Sequence, residues 1–406
     1  MISYAKLGKA VLWILGVPVV SSIVLLIVVY LINIPDEALR PDVTAVLADR
    51  HDAVPDRDNL FFPILALDVR DSQDLNADGQ RLYANYLAAL REKTSLSLTL
   101  AHDPAFPRKD FVGDQNRLCS LKAADDCIDR VARDPTSMSD LLSDNALLLE
   151  RYQGLLSYQR FENRLHPTRQ SPFIDWSRFV IAKRLYLTSI ALDCARGRLA
   201  EAVSRLQADT IFSRRVLAEP EALLLDKLIL TASFRGDLLL AAGILHHGPL
   251  TETQYGALHQ IAAPITLAER SLRGPYAREY EMVATVLKLM GDPAKAAQQF
   301  VPEGGSDQER VIEGRLAQHF FKPNATLNMM WALSLHNAQS SEVACQDRPA
   351  VEATRKTGTL PLLSYAYNPI GRMIVRISSI ATSSYTGRLC ELEALQRNLA
   401  LQIGPG

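Results

Sequence analysis

The chain has 406 residues, 48% of them hydrophobic and 22% charged, with a formal net charge of −1, the balance of a folded protein with a sizeable core and not of a disordered one. Its Lys and Arg residues are scattered, so it lacks the basic footprint that neutralises phosphate backbones, and nucleic acid is excluded as an expected partner. Arg outnumbers Lys roughly three to one in an Ala- and Leu-rich sequence, a coding bias of GC-rich bacterial genomes, and compartments are named here in bacterial terms.

Residues 10–32, "AVLWILGVPVVSSIVLLIVVYLI", form an uncharged run of 23 residues. At 1.5 Å of rise per residue a helix of that length reaches about 34 Å, enough for the roughly 30 Å hydrocarbon core of a bilayer. A secretory signal has a shorter apolar region followed by a small-residue cleavage site, and "NIPDEALRP" offers no such site. Lys6, Lys9 and the amino terminus precede the run with no acid among them, while Asp36 and Glu37 open its far side. The expectation is one uncleaved transmembrane anchor at the inner membrane, with residues 1–9 cytoplasmic and the bulk of the chain periplasmic. Residues 33–58 close this part of the chain as an acidic linker; from Ile34 onward they carry seven acids, three bases and three prolines.

From Asn59 onward apolar residues recur at helical spacing with no sustained alternation, so residues 59–406 are expected to form an all-α periplasmic domain. Early in it, "DLNADGQRLYAN" at 74–85 has the first half of a calcium-loop pattern: Asp74, Asn76, Asp78 and Gly79. Position 8 is Arg81 and position 12 is Asn85, so the aliphatic clamp and the bidentate carboxylate are missing. A helix starting just after residue 76, capped by Asp74 or Asn76, explains the same letters, because Leu82, Tyr83, Tyr86, Leu87 and Leu90 follow at helical spacing. "ERY" at 150–152 reads as a Glu150–Arg151 pair joining helices. Residues 223–245 read as a helix pair in a soluble core, since Asp226, Lys227, Arg235 and Asp237 interrupt the apolar run. Capping boxes at 251–254 and 306–309, Asn324 after Pro323, and Asn368 before Pro369 mark further helix starts.

Around Gly197, Gly236 and Gly291 one arrangement recurs: an apolar helix, a short glycine turn, a small residue five positions on (Ala202, Ala241, Ala296) and a large apolar residue four beyond that. Helices joined by so short a break pack antiparallel, and the Ala permits close approach. The unit resembles the helix–turn–helix of tetratricopeptide repeats, most closely at Gly291, where Tyr280 and Ala284 fall at the aromatic and small positions. The glycines lie 39 and 55 residues apart, whereas that family repeats at about 34. The resemblance implies an irregular array of antiparallel helical hairpins; a compact helical bundle is the other architecture these letters allow.

Motifs for a nucleophile elbow, a zincin, a phosphate loop and a thiol-exchange site are all missing, so no catalytic residue, cofactor or metal is expected. His246 and His247 sit at a helix end before "GP", where they would meet carbonyl dipole ends, and His259 lies beyond. Arg372 and Arg376 lie one turn apart and, with Arg388, form a candidate contact for an anion or a partner. The five cysteines would lie in an oxidising compartment. On a continuous helix Cys119 and Cys127 would be about 12 Å apart, beyond the roughly 7 Å reach of a bridge, so a Cys119–Cys127 bridge requires a break at "KAADD". Cys345 and Cys390, in polar surroundings, form the second expected pair, and Cys194, on an apolar helix, stays a free thiol. The reading that follows is a non-enzymatic, membrane-anchored periplasmic protein that binds another envelope protein, as scaffold, adaptor or tethered inhibitor. Its alternative is an envelope enzyme acting on peptidoglycan or lipid through acidic residues dispersed over several helices.

Overall fold

A computed structural model of the chain describes residues 4–48, 53–91, 105–122, 126–165, 174–290, 314, 318–343, 345, 366–381 and 383–404. All named elements among them are helical, and only isolated bridges, Asn59 with Arg160 and Val69 with Arg108, pair extended backbone. In chain order α1 spans Tyr4–Ile32, α2 Pro41–Ala48, α3 Phe61–Leu65, α4 Leu75–Arg91, α5 Cys127–Arg133, α6 Pro135–Asp144, α7 Ala146–Leu155 and α8 Trp176–Ala195. There follow α9 Leu199–Ala218, α10 Leu224–Ile244, α11 Glu252–Ile261, α12 Leu267–Arg270, α13 Arg273–Met290, α14 Pro323–Glu342, α15 Pro369–Ala381 and α16 Ser383–Ile403. The chain divides into two units, one of residues 1–49, 283–334 and 349–382, the other of residues 50–282, 335–348 and 383–406.

In the first unit α1 is one continuous helix that carries Pro18 inside it. From Val19 to Ile32 its large apolar side chains are exposed, apart from half-buried Val29. Among the described residues no helix is long and apolar enough to cross a membrane, the side chains of α1 being described from Pro18 on. Just past α1 a collar of amides gathers the unit. Asn33 donates to the Ala366 carbonyl at 2.6 Å and accepts from the Asn368 N–H at 2.8 Å. Asn368, at φ 52°, takes the left-handed backbone that Asn tolerates better than most residues. Its Oδ1 accepts from Lys322 and Gly371 N–H, and its Nδ2 donates to Thr326 Oγ1 at 2.9 Å. Residues 33–48, which read as part of an acidic spacer, therefore carry structure of their own.

The second unit is built on α8, α9 and α10, which pack on one another, with α5, α6 and α7 against α8, α11 and α12 against α9, and α16 against α10. Gly197, at φ 78°, closes the α8–α9 hairpin in a conformation glycine adopts without strain. Gly79 answers a different need: a Cβ there would lie 2.0 Å from the Phe62 carbonyl oxygen, so the close packing of α4 on α3 requires its absence. Asp74 caps α4, its Oδ1 accepting from Asn76 N at 2.9 Å and Ala77 N at 3.1 Å, while Asp78 is buried and paired with Arg81. The letters that resemble half a calcium loop thus serve a helix start and a helix contact.

Several expectations need correcting. Gly236 makes no turn: α10 runs unbroken through it, so residues 223–245 are one helix and not a pair. Leu121 and Leu187 side chains crowd the place a Cβ would take at Gly236, the nearest at 2.5 Å, so the glycine serves packing. Arg151 does not join Glu150; its guanidinium donates to the carbonyls of Leu67, Val69, Arg70 and Ser72, fastening the irregular segment after α3. Asn324 is not a cap. The Asp36 carboxylate accepts from the N–H groups of Asn324 and Ala325 at 2.9 and 3.1 Å, capping α14 from a distant segment. The Thr251 capping box and the Asn368–Pro369 start are present, whereas the turn and second helix of the Gly291 hairpin and residues 306–309 lie outside the described residues.

Candidate functional site

Leu228, Thr231, Ala232 and Arg235 fall at positions i, i+3, i+4 and i+7 of α10, so they form one stripe of that helix. Facing them on α16 are Arg388, Glu391 and Leu392, and Leu121 with Lys122 closes the third side. The hollow between them has a volume of about 370 Å³, within the ligand-sized range of roughly 300–1,000 Å³. Its floor is apolar, with Leu392 fully buried, and its rim carries three cations and one carboxylate. Arg235 Nη1 donates to Glu391 Oε2 at 2.8 Å, and its buried Nε has no acceptor among the described residues. Lys122 and Arg388 are exposed and in no ion pair among the described residues, so the rim is net positive.

Covalent bonds hold two walls of this groove. Cys119 is bonded to Cys127 (Cα–Cα 5.4 Å), which ties the Leu121–Lys122 wall to the start of α5. Residues 119–122 are not helical, the break such a bridge requires. Cys390, between Arg388 and Glu391, is bonded to Cys345 at a Cα–Cα distance of 5.5 Å. Cys194 is free and buried on α8, and burial pushes its thiol up to about 12, which leaves it protonated and inert.

The third wall, α10, is positioned by buried polar groups that no local pattern announces. Lys183 on α8 donates to Asp209 on α9 at 2.6 Å and to Asp237 on α10 at 2.5 Å, and Tyr152 on α7 donates to Asp209 at 2.8 Å. All four side chains are fully buried. Burial alone would depress Lys183, but the two carboxylates outweigh it and hold the ammonium above its usual range. Burial raises Asp237 well above the carboxylate range, opposed by Lys183 and reinforced by Asp209. At the start of α10, Asp226 accepts from Asn163 at 2.8 Å, Trp176 at 2.9 Å and its own cap N–H at Leu223, yet burial still lifts it to about 6. Its neighbour Lys227 is pulled down by burial to about 8, against the pull of Glu219 and Glu269.

A second hollow of about 190 Å³ lies beside the Cys119–Cys127 bridge, where His247 Nε2 meets Asp129 at 3.2 Å. A third, at Asp68, is nearly closed by the ion pairs of Asp68 with Arg108 and Arg178. No group of three or more His, Cys, Asp or Glu among the described residues could hold a metal ion.

Of the three candidate anion contacts, Arg388 lines the groove. Arg372 and Arg376 belong to α15 in the other unit. Reading by sequence missed Lys122, Arg235 and Glu391. The spacing of residues 228, 231, 232 and 235 is a legible stripe, but it points to a site only once α10 is known to be one helix. No family model, curated protein or solved structure matches the chain.

Proposed function

We propose that the protein is a membrane-anchored periplasmic binding protein whose groove takes an acidic segment of another envelope protein. The observation that carries this reading is the groove itself: an apolar floor with a net positive rim suits a chain that buries an apolar side chain and offers carboxylates to Lys122 and Arg388. The anchor is α1, supported by its uninterrupted helix and its exposed apolar side chains. A lipid surround is where such a helix has no surface left to hide. The disulfides favour an oxidising compartment on the side of the membrane away from Lys6 and Lys9.

The test uses the full chain in its native membrane with a photoreactive residue at Ala232, on the groove wall, and in a separate variant at Leu401, which is 80% exposed and away from the groove. Ala232 should give a discrete protein adduct that Leu401 does not, and the double variant Lys122→Glu, Arg388→Glu should lose it. Adducts common to both positions, or adducts indifferent to charge reversal, would remove the reading.

An enzymatic reading draws on one observation, the His247–Asp129 contact at the mouth of the second hollow. A carboxylate that orients an imidazole is a general-base arrangement. His247→Ala would then abolish turnover of peptidoglycan or lipid by the full chain while leaving the groove adduct in place.

A further inference from the structure

α15 separates its apolar from its polar residues more sharply than any other long described helix. Packing explains only part of that separation. Gly371 is buried against Thr326 and Asn368, and a Cβ there would lie 2.0 Å from Thr326 Oγ1, so this side of the helix faces its own unit. Met373 and Ile377, on another side and one turn apart, are 57% and 63% exposed. Arg376 is exposed beside them, and half-buried Arg372, whose Nε donates to the Tyr367 carbonyl at 3.1 Å, flanks the stripe. A soluble surface gains nothing from a paired Met and Ile in water.

Position in the fold supplies the occupant. Asn368, the cap of α15, is hydrogen-bonded through its N–H to Asn33, the first residue after α1. At 1.5 Å per residue Met373 lies about 8 Å and Ile377 about 14 Å along the helix from that cap. The exposed stripe is therefore tied within an interfacial distance of the end of the apolar helix. Two aliphatic anchors flanked by Arg, with no acid in the helix, are the composition of a helix that lies in the headgroup–acyl boundary.

We propose that α15 is an interfacial helix that lies on the phospholipid surface around α1, with Met373 and Ile377 in the acyl boundary and Arg372 and Arg376 at the lipid phosphates. The proposal rests on the reading of α1 as an anchor. It gives the first unit a second hold on the bilayer, one that resists tilting and rotation about a single span.

The experiment uses the full chain in lipid nanodiscs, labelled in separate variants at Met373→Cys, Ile377→Cys, Val24→Cys in α1 and Ile211→Cys in α9, the last being exposed in the second unit. Cys194 needs no replacement, since it is buried and its thiol stays protonated. A fluorophore quenched by nitroxide lipids should lose most of its emission at 24, 373 and 377 and keep it at 211, with headgroup-level nitroxides acting best at 373 and 377 and mid-chain nitroxides at 24. Anionic lipid should deepen the quenching at 373, and the variant Arg372→Gln, Arg376→Gln should remove that increment, about fivefold in the lipid-binding equilibrium per Arg. Quenching at 24 without quenching at 373 and 377 overturns the proposal and leaves the anchor standing. No quenching at 24 overturns both. An increment that survives the double substitution overturns the assignment of the arginines to phosphates.

Discussion

The two units solve the same problem, burying polar groups, with different chemistry. In the second, four fully buried side chains from α7, α8, α9 and α10 meet around the Lys183 ammonium, with two carboxylates on it. In the first, neutral amides do the joining: Asn33 and Asn368 bond mostly to backbone groups of segments far apart in sequence. A buried charge with a partner removed is left with its full desolvation penalty, whereas an amide loses only its own hydrogen bonds. The charged centre therefore suffers most where a shared charge such as Asp209 is lost, and the amide collar fails gradually. α10, one wall of the groove, is locked by the former; the start of α15 is held by the latter.

The sharpest break in this comparison comes at Asp209. Asp209→Asn takes one of its two carboxylates from Lys183 and the charged acceptor from Tyr152, and should destabilise the second unit by ~3–5 kcal/mol. Asp237→Asn should cost less, ~1–2 kcal/mol, because Lys183 keeps Asp209, burial opposes the charge on Asp237, and Asp237 Oδ2 has no partner among the described residues. Local hydrogen exchange in α8 and α9 of the full chain measures both, and equal losses would show that the centre behaves as two equivalent ion pairs.

Next in size is a pH effect at Asp226. Its carboxyl is raised in the folded protein from 3.8 to about 6, so the unfolded chain releases this proton first. The stability it contributes is complete below about pH 4, is lost as pH rises from about 4 to about 6, and stays lost above that. The change is on the order of 3 kcal/mol, the free energy that separates 3.8 from about 6 for a fully buried group. Asp226→Asn should flatten that part of the stability–pH profile, read by denaturant unfolding with Trp176, its hydrogen-bond partner, as the reporter.

Asn368→Ala tests the neutral side. It removes hydrogen bonds to Lys322, Thr326 and Gly371 and places Ala at a positive φ, at ~2–3 kcal/mol, visible as faster exchange of the first turn of α15. The smallest effect belongs to Asp36→Ala, which uncaps α14 from an exposed position at ~1 kcal/mol. A loss at Asn368 as large as that at Asp209 would erase the distinction between the units.

Much of the local grammar was legible. Thr251, Asn368 and one of Asp74 or Asn76 are read as caps because a side-chain oxygen next to helical spacing has few other uses, and Thr251, Asn368 and Asp74 bond where that logic puts them. Cys119 and Cys127 could be matched because a bridge over so short an interval demands a broken helix, and the chain there is polar. Gly236 misled the same grammar. A glycine between apolar runs looks like a turn, yet here it makes room for Leu121, a residue 115 positions earlier. Arg151 and Asn324 misled it likewise: Arg151 serves carbonyls of a distant segment, and Asp36 caps α14 in place of Asn324.

By itself, then, the sequence determined the all-α character, the caps at Asp74, Thr251 and Asn368, the Cys119–Cys127 bridge and the long apolar run, because each depends on residues within two or three turns or on hydrophobic content alone, while polar surroundings singled out Cys345 and Cys390. Tertiary structure alone decided the Lys183 centre, the continuity of α10 and the groove formed by Lys122, Arg235, Arg388 and Glu391. Charges 26 and 54 residues apart, such as Lys183 with Asp209 and Asp237, neutralise one another only after three helices have packed. No local spacing encodes that energy.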